Sequence, residues 1–257
     1  MKISDGNIFL DLDYEIRAER VKITGSAVEP QLGYDRDAQH YNLLGGTVLP
    51  REITIEGYIT GDVEENRHYL YKMCAPLKTL WLYDGDYRME ITVLRAPELS
   101  DERRYKDKLF RFTIRALCLS PYWSAISAKK YIFYSCGGES TDQSALKVLN
   151  EGHVASGFNI SILMNTSANF LTLRKGSEYI KINKPLDILD TVIIDTSSGK
   201  KSVMLKKDGQ DELVSLIEYV SPDSTFFSLD KGQNQIDFVV SEGVAHMTLE
   251  YIPRYIR

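Results

Sequence analysis

The sequence predicts a mainly β protein in two parts: an α+β N-terminal domain with one helix, then an all-β C-terminal antiparallel sandwich. Residues 51–59 alternate apolar and polar positions, the period of a half-buried strand, and a capped helical pattern from Asp62 to Cys74 follows at once. After Ala145, short apolar runs recur between turn residues with no helical period among them, the spacing of an antiparallel sandwich or jelly roll. The 257 residues exceed one typical domain, so each part can bury its own core. The expected division is 1–125 for the first domain, 126–144 for a linker or extension, and 145–257 for the second.

Taken in order, Ile8-Phe9-Leu10 and Ile16 to Ile23 read as extended, with Val21 and Ile23 alternating against polar neighbours. Glu29 to Gly46, with one Pro and three Gly, reads as a long loop or extended arm, a feature that often makes contacts beyond its own domain. Ile53, Ile55, Gly57 and Ile59 share one strand face; Thr54, Glu56 and Tyr58 share the other. Asp62 with Glu65 resembles a capping box, and Val63, Leu70, Met73, Cys74 and Leu77 fall near helical spacing, facing the core. Pro76 stops that helix.

Thr79–Tyr83 and Tyr87–Leu94 flank Asp84-Gly85-Asp86, a hairpin signal. Ser100 to Lys108 is charged and reads as a turn or exposed arm. Phe110 to Cys118 alternates as a half-buried strand, and Ser120-Pro121-Tyr122-Trp123 ends the first half. In the join, Lys130 to Tyr134 can pair as a strand, and Cys136-Gly137-Gly138 is a turn. The sandwich strands are expected at 146–149, 158–164, 170–173, 179–182, 191–195, 202–205, 213–217, 235–240 and 246–251.

The net charge of −5 is spread along the chain: 17 Lys and Arg against 20 Asp and Glu in residues 1–125 (−3), 14 against 16 in the rest (−2). Neither half has the basic excess that sequence-blind nucleic-acid binding needs. No window approaches the roughly 18 apolar residues of a membrane span, and the start carries no apolar signal core, so synthesis in a cytoplasm is expected. Cys74, Cys118 and Cys136 are too few and too scattered for a disulfide framework or zinc site and read as small buried apolar residues.

His40, His68, His153 and His246 are isolated, and no HxH, HExxH or CxxC occurs. Asp11-Leu12-Asp13 and Asp84-Gly85-Asp86 have the D-x-D form that can hold a divalent metal, but one sits in a hairpin turn and the other between short strands, where turn or edge charge is expected. No phosphate loop, nucleophile elbow or dinucleotide fingerprint is present. No catalytic, cofactor-binding or metal residue is therefore expected.

Several segments together match a family. They are Leu49-Pro50-Arg51-Glu52-Ile53-Thr54-Ile55-Glu56-Gly57 with Glu64 to Leu70, then Pro121-Tyr122-Trp123, then Asn150-Glu151-Gly152 and Ile194-Asp195-Thr196 with Gly199. Phe226-Phe227-Ser228-Leu229 with Gly232-Gln233-Asn234 follows, and the series closes on Tyr251-Ile252-Pro253-Arg254-Tyr255. In order and spacing the chain resembles the distal tail (Dit) proteins of long-tailed bacteriophages; residues 29–46 and 96–108 stand outside the alignment.

The resemblance implies an N-terminal domain that closes six copies into a ring at the virion tail tip, and a galectin-like β-sandwich on its outside. It also implies partners: the tail tube, the tail-associated hub and receptor-binding proteins, with no nucleic acid and no membrane. Galectin shape does not bring sugar binding with it. On this reading the 29–46 arm reaches a neighbour or the tube, and Arg51, Glu56 and Tyr58 lie on an exposed strand face near that contact. The rival reading is a module whose sandwich binds host cell-surface carbohydrate, favoured by coplanar exposed aromatics. A wall-degrading hydrolase is the third and has no motif behind it.

Overall fold

Side-chain alternation builds both halves of this protein. The structure, a computed structural model, describes residues 1–25, 27–35, 40–102, 109–136, 145–241 and 243–257. The chain divides into two units, Met1–Ser124 with Ile256–Arg257, and Ala125–Tyr255.

The first unit contains β1 (Lys2–Ser4), β2 (Phe9–Asp11), β3 (Ile16–Ile23), β4 (Val28–Asp35), β5 (His40–Val48), β6 (Arg51–Ile59), α1 (Val63–Met73), β7 (Thr79–Asp84), β8 (Tyr87–Val93), β9 (Glu98–Glu102) and β10 (Leu109–Cys118). Its main sheet runs β2-β1-β7-β8-β10-β6-β3. β8 pairs with β10 at Ala116 and Leu117, and β9 pairs along Leu109–Thr113. Ile53, Ile55 and Ile59 of β6, Phe112 and Ile114 of β10, and Leu80 and Leu82 of β7 are buried on one face, with Leu70 and Met73 of α1 also in the core. The Asp62 carboxylate accepts from Glu65 N at 3.1 Å, which caps the helix as its sequence predicts.

Three expectations are corrected. Leu77 is 79% exposed, because the helix ends at Met73 and residue 77 no longer follows its period; its amide instead donates to Val93 O at 2.8 Å, with φ 63°. Of Glu29–Gly46, residues 29–35 and 40–46 form not a loop but an extended two-stranded antiparallel ribbon, β4 with β5, running from Val28↔Val48 to Asp35↔His40, and residues 36–39 lie outside the described residues. Such a ribbon leaves half its backbone groups outside the ladder, so Pro30 and its glycines cost less there than in a central strand. Of Ser100 to Lys108, Ser100–Glu102 is not a turn but part of β9, and residues 103–108 lie outside the described residues. The hairpin at Asp84–Tyr87 is as expected, with Gly85 at φ 58° in the first loop position, which a primed turn requires.

β11 (Trp123–Ala125) spans the division between units. The second unit holds β12 (Lys129–Cys136), β13 (Ala145–Asn150), β14 (Phe158–Met164), β15 (Leu171–Lys175), β16 (Glu178–Ile182), β17 (Thr191–Asp195), β18 (Ser202–Lys206), β19 (Leu213–Ser215), β20 (Gly232–Val240), β21 (Val244–Tyr251) and β22 (Arg254–Tyr255). Two sheets, ordered β12-β21-β14-β17-β18-β19 and β13-β20-β15-β16, share one apolar core. β14 and β17 match the expected bounds, and the helical content of this unit is a single 3₁₀ turn at Ile217–Tyr219 among the described residues.

The loops that close this sandwich are held by buried polar side chains. Asn150 Nδ2 donates to Val154 O at 3.1 Å and Leu229 O at 3.0 Å, and its Oδ1 accepts from Gly152 N at 3.0 Å. Asn234 grips the 230–232 turn in the same way, accepting from Asp230 N at 2.8 Å and donating to Asp230 O at 2.8 Å and Gly232 O at 3.0 Å. Thr196 Oγ1 accepts from Phe158 N at 2.9 Å. Phe227, from the Phe226–Leu229 segment, plugs the core against Phe158 at 5.4 Å between ring centroids.

Two substitutions test this account. A Cβ on Gly57 would overlap Arg17 O and stand 2.8 Å from Phe112 Cζ, so Gly57→Ala is expected to destabilise by about 2 kcal/mol or more in denaturant unfolding. Asn150→Ala is expected to cost about 2–3 kcal/mol, because it strips partners from two buried carbonyls and an amide.

Candidate assembly surfaces

The residues singled out for chemistry are engaged in structural contacts. Asp13 lies 2.7 Å from the Met1 amino group, whose hydrogen bond holds it below the usual carboxylate range; Asp11 lies 3.6 Å from Lys2 Nζ, and Asp84 3.3 Å from the Arg257 guanidinium. His246 stacks on Tyr134 at 4.6 Å, His153 meets Tyr255 edge-on at 5.3 Å, and His68 is an exposed residue of α1. The side chains of His40 and Cys136 lie outside the described residues. Burial pushes the Cys74 thiol up to about 12 and Cys118 up to about 11, which keeps both protonated and unreactive at neutral pH. Among the described residues no three His, Cys, Asp or Glu gather into a metal site, and no helix is long and apolar enough to cross a membrane. A shallow cleft of about 440 Å³ beside β17 and β18 is lined by Thr191, Lys206 and Asp211, the last two paired at 3.1 Å.

Arg51 is not on the exposed face. It is 4% exposed and donates to three main-chain oxygens: Nε to Thr24 at 2.7 Å, and its terminal nitrogens to Pro121 at 3.3 Å and Arg257 at 2.9 Å. Its odd position places it on the inward side of β6 with Ile53 and Ile55, away from Glu56 and Tyr58. Glu56 is exposed and Tyr58 half-buried on the opposite face.

That opposite face is cationic. Strand register brings Arg17 and Arg111 to either side of Tyr58, Arg20 and Thr113 to either side of Glu56, and Lys22 and Arg115 to either side of Thr54. All five cations are exposed. Arg111 donates to Tyr58 Oη at 2.9 Å and lies over its ring at 5.2 Å. Among the described residues Arg17, Arg20, Lys22 and Arg115 form no salt bridge. The sequence reading missed this grouping. The Ala18/Arg20 bulge shifts the alternation of β3, so Arg17, Arg20 and Lys22 share a face that a simple odd–even count divides. In the β2-β1-β7-β8 part of the same sheet, Arg88 covers Trp81 at 4.5 Å and Phe9 meets Tyr83 at 5.5 Å.

The β4–β5 ribbon pairs with no other strand among the described residues, and Val28 at its base is 57% exposed. On the sandwich, the outward positions of β13, β20, β15 and β16 are mixed: Arg174 lies 3.6 Å from Asp237 and Gln235 donates to Asp237 at 3.1 Å, while Leu149 and Val239 are exposed among them. Outward on β12, Ile132 is 56% and Tyr134 66% exposed, and the ring partner of Tyr134 is His246.

Arg51→Met is expected to cost about 3 kcal/mol, since three main-chain oxygens lose their donor, and Arg51→Lys to recover less than half of that in thermal or denaturant unfolding. The raised thiol of Cys74 contributes stability fully present below 9.0 and lost as pH rises toward about 12, because the unfolded thiol ionises first. Cys74→Ala is therefore expected to flatten the alkaline fall of stability above pH 9, read from unfolding midpoints across a pH series.

Residues 151–255 match the family model of the siphovirus-type tail component, C-terminal domain. Among solved structures, the Dit protein (gp 19.1) of phage SPP1, described as a paradigm of the hub adsorption apparatus in phages infecting Gram-positive bacteria, has the same fold. Its TM-score is 0.71 at 12% identity, covering 98% of this chain and 98% of that one. A chain of the phage P2 baseplate in its activated conformation with Ca matches at TM-score 0.55 and 10% identity, over 97% of this chain and 96% of that one. A chain of the same baseplate with Sr matches at 0.53 and 11%, over 97% and 96%. No curated protein matches the chain in sequence.

Proposed function

We propose that this chain, whose residues 151–255 match the family model of the siphovirus-type tail component, C-terminal domain, and whose fold is similar throughout to that of SPP1 Dit, is a structural part of a phage tail tip. In this reading six copies close into a ring through the first unit. The ring joins the tail tube to the hub, and the sandwich mounts receptor-binding proteins. The role is one of assembly, without turnover chemistry.

The observation that carries the reading is the agreement of two independent comparisons, one in sequence over the second unit and one in fold over nearly all of the chain. The ribbon supports it physically. A lone two-stranded ribbon is at best marginally stable in water, so β4 and β5 gain most when their unpaired edges meet another surface. Head-to-tail contacts between identical subunits then close when the rotation between neighbours divides the circle.

The test is sedimentation of the purified chain across concentration, with negative-stain imaging of the largest species. Hollow six-membered rings are expected, and a variant whose residues 30–46 are replaced by a short turn should stay folded but fail to close. A wild-type chain that remains monomeric even with tube and hub proteins added would overturn the proposal.

A further inference from the structure

Resting on the ring reading, we infer that the cationic outer face of β3, β6 and β10 is the docking surface for a second copy of this chain, which presents the acidic end of its α1. Like charges crowded on one sheet face repel one another, and four of these five cations have no salt bridge among the described residues. Arg20 stands opposite Glu56 in the register and Arg17 acts on Asp13, so the charge of the face is only partly neutralised. Arg111 is braced over Tyr58, so its guanidinium is presented in a fixed plane. Arginine and tyrosine anchors of this kind are what protein interfaces favour.

The complement lies on the same unit. The entry to α1 carries Glu15, Asp62, Glu64 and Glu65, all exposed, against the single cation Arg67, paired to Glu64 at 3.2 Å. The helix dipole accounts for acids in the first turn. It does not account for Glu15, which comes from the segment before β3 and accepts from Asn66 Nδ2 at 2.8 Å.

Charge accounting points to self-recognition. The outer side of the three strands holds five cations and three carboxylates, Glu19, Glu52 and Glu56, so +2; residues 1–125 total −3, which leaves −5 on the remainder. A two-fold pairing centred on the cationic face would set like charges against one another. The unit attracts itself head to tail, where the cationic face of one copy meets the acidic end of the next.

The experiment uses full-length chain in three forms. Arg20→Glu, Lys22→Glu and Arg115→Glu together make the face acidic; Glu64→Lys with Glu65→Lys make the helix end basic; a fifth-order variant carries all five changes. Folding is checked by circular dichroism and melting, since all five side chains are exposed. Sedimentation is run at about 50 mM and about 500 mM salt. Wild type is expected to assemble more weakly at high salt. Each partial variant alone should lose at least about tenfold in association, while mixing the two, or combining all five changes in one chain, restores it.

If wild type forms rings and the partial variants form them equally well, the face is wrong and the ring reading stands. If wild type does not self-associate under either condition, even with tube and hub proteins added, both fall. If the face variant loses binding to a double-stranded DNA probe with self-association unchanged, the surface serves nucleic acid and the inference is overturned.

Discussion

Every residue of a β-strand must choose between two faces, and in the first unit β6 makes that choice for the whole sheet. Its odd positions bury Arg51, Ile53, Ile55, Gly57 and Ile59 and its even positions do not. Flanked by β3 and β10, it transmits the same division to both. The inward face sets stability through packed aliphatic chains, and the outward face is free to carry charge. Gly57 belongs to this constraint: it is the inward position where the backbone of β3 comes too close for any side chain.

Arg51 shows how an inward position can be polar without loss. A buried guanidinium is costly unless its donors are met, and here three main-chain oxygens from separate segments meet them. The side chain therefore ties Thr24, Pro121 and Arg257 to the start of β6. A lysine offers one point charge on a flexible stem and cannot span that geometry.

The sandwich was the more legible half of the sequence, because every one of its central strands buries one face, so period-2 alternation and turn residues suffice. Phe158–Met164 and Thr191–Asp195 could be read to the residue. The ribbon was not legible, since Pro30, Gly33, Gly45 and Gly46 signal loop wherever a strand has two neighbours to satisfy. Nor was β9, whose charged residues reflect a place at the edge of pairing. The cationic face was hidden twice over, by the 85 residues between β3 and β10 and by the bulge that breaks the alternation of β3.

The polar motifs that carried the family resemblance turn out to have a common physical task. Asn150, Thr196 and Asn234 each satisfy loop backbone that would otherwise be buried without partners. None of them points to a reacting group; they hold the ends of strands in place. Charge follows the opposite logic, collecting on exposed faces where folding does not need it. Where buried polar groups such as Asn150, Thr196, Asn234 and Arg51 serve the fold, surfaces whose charge is only partly neutralised are the places to look for function, and the outer face of β6 with β3 and β10 is such a surface.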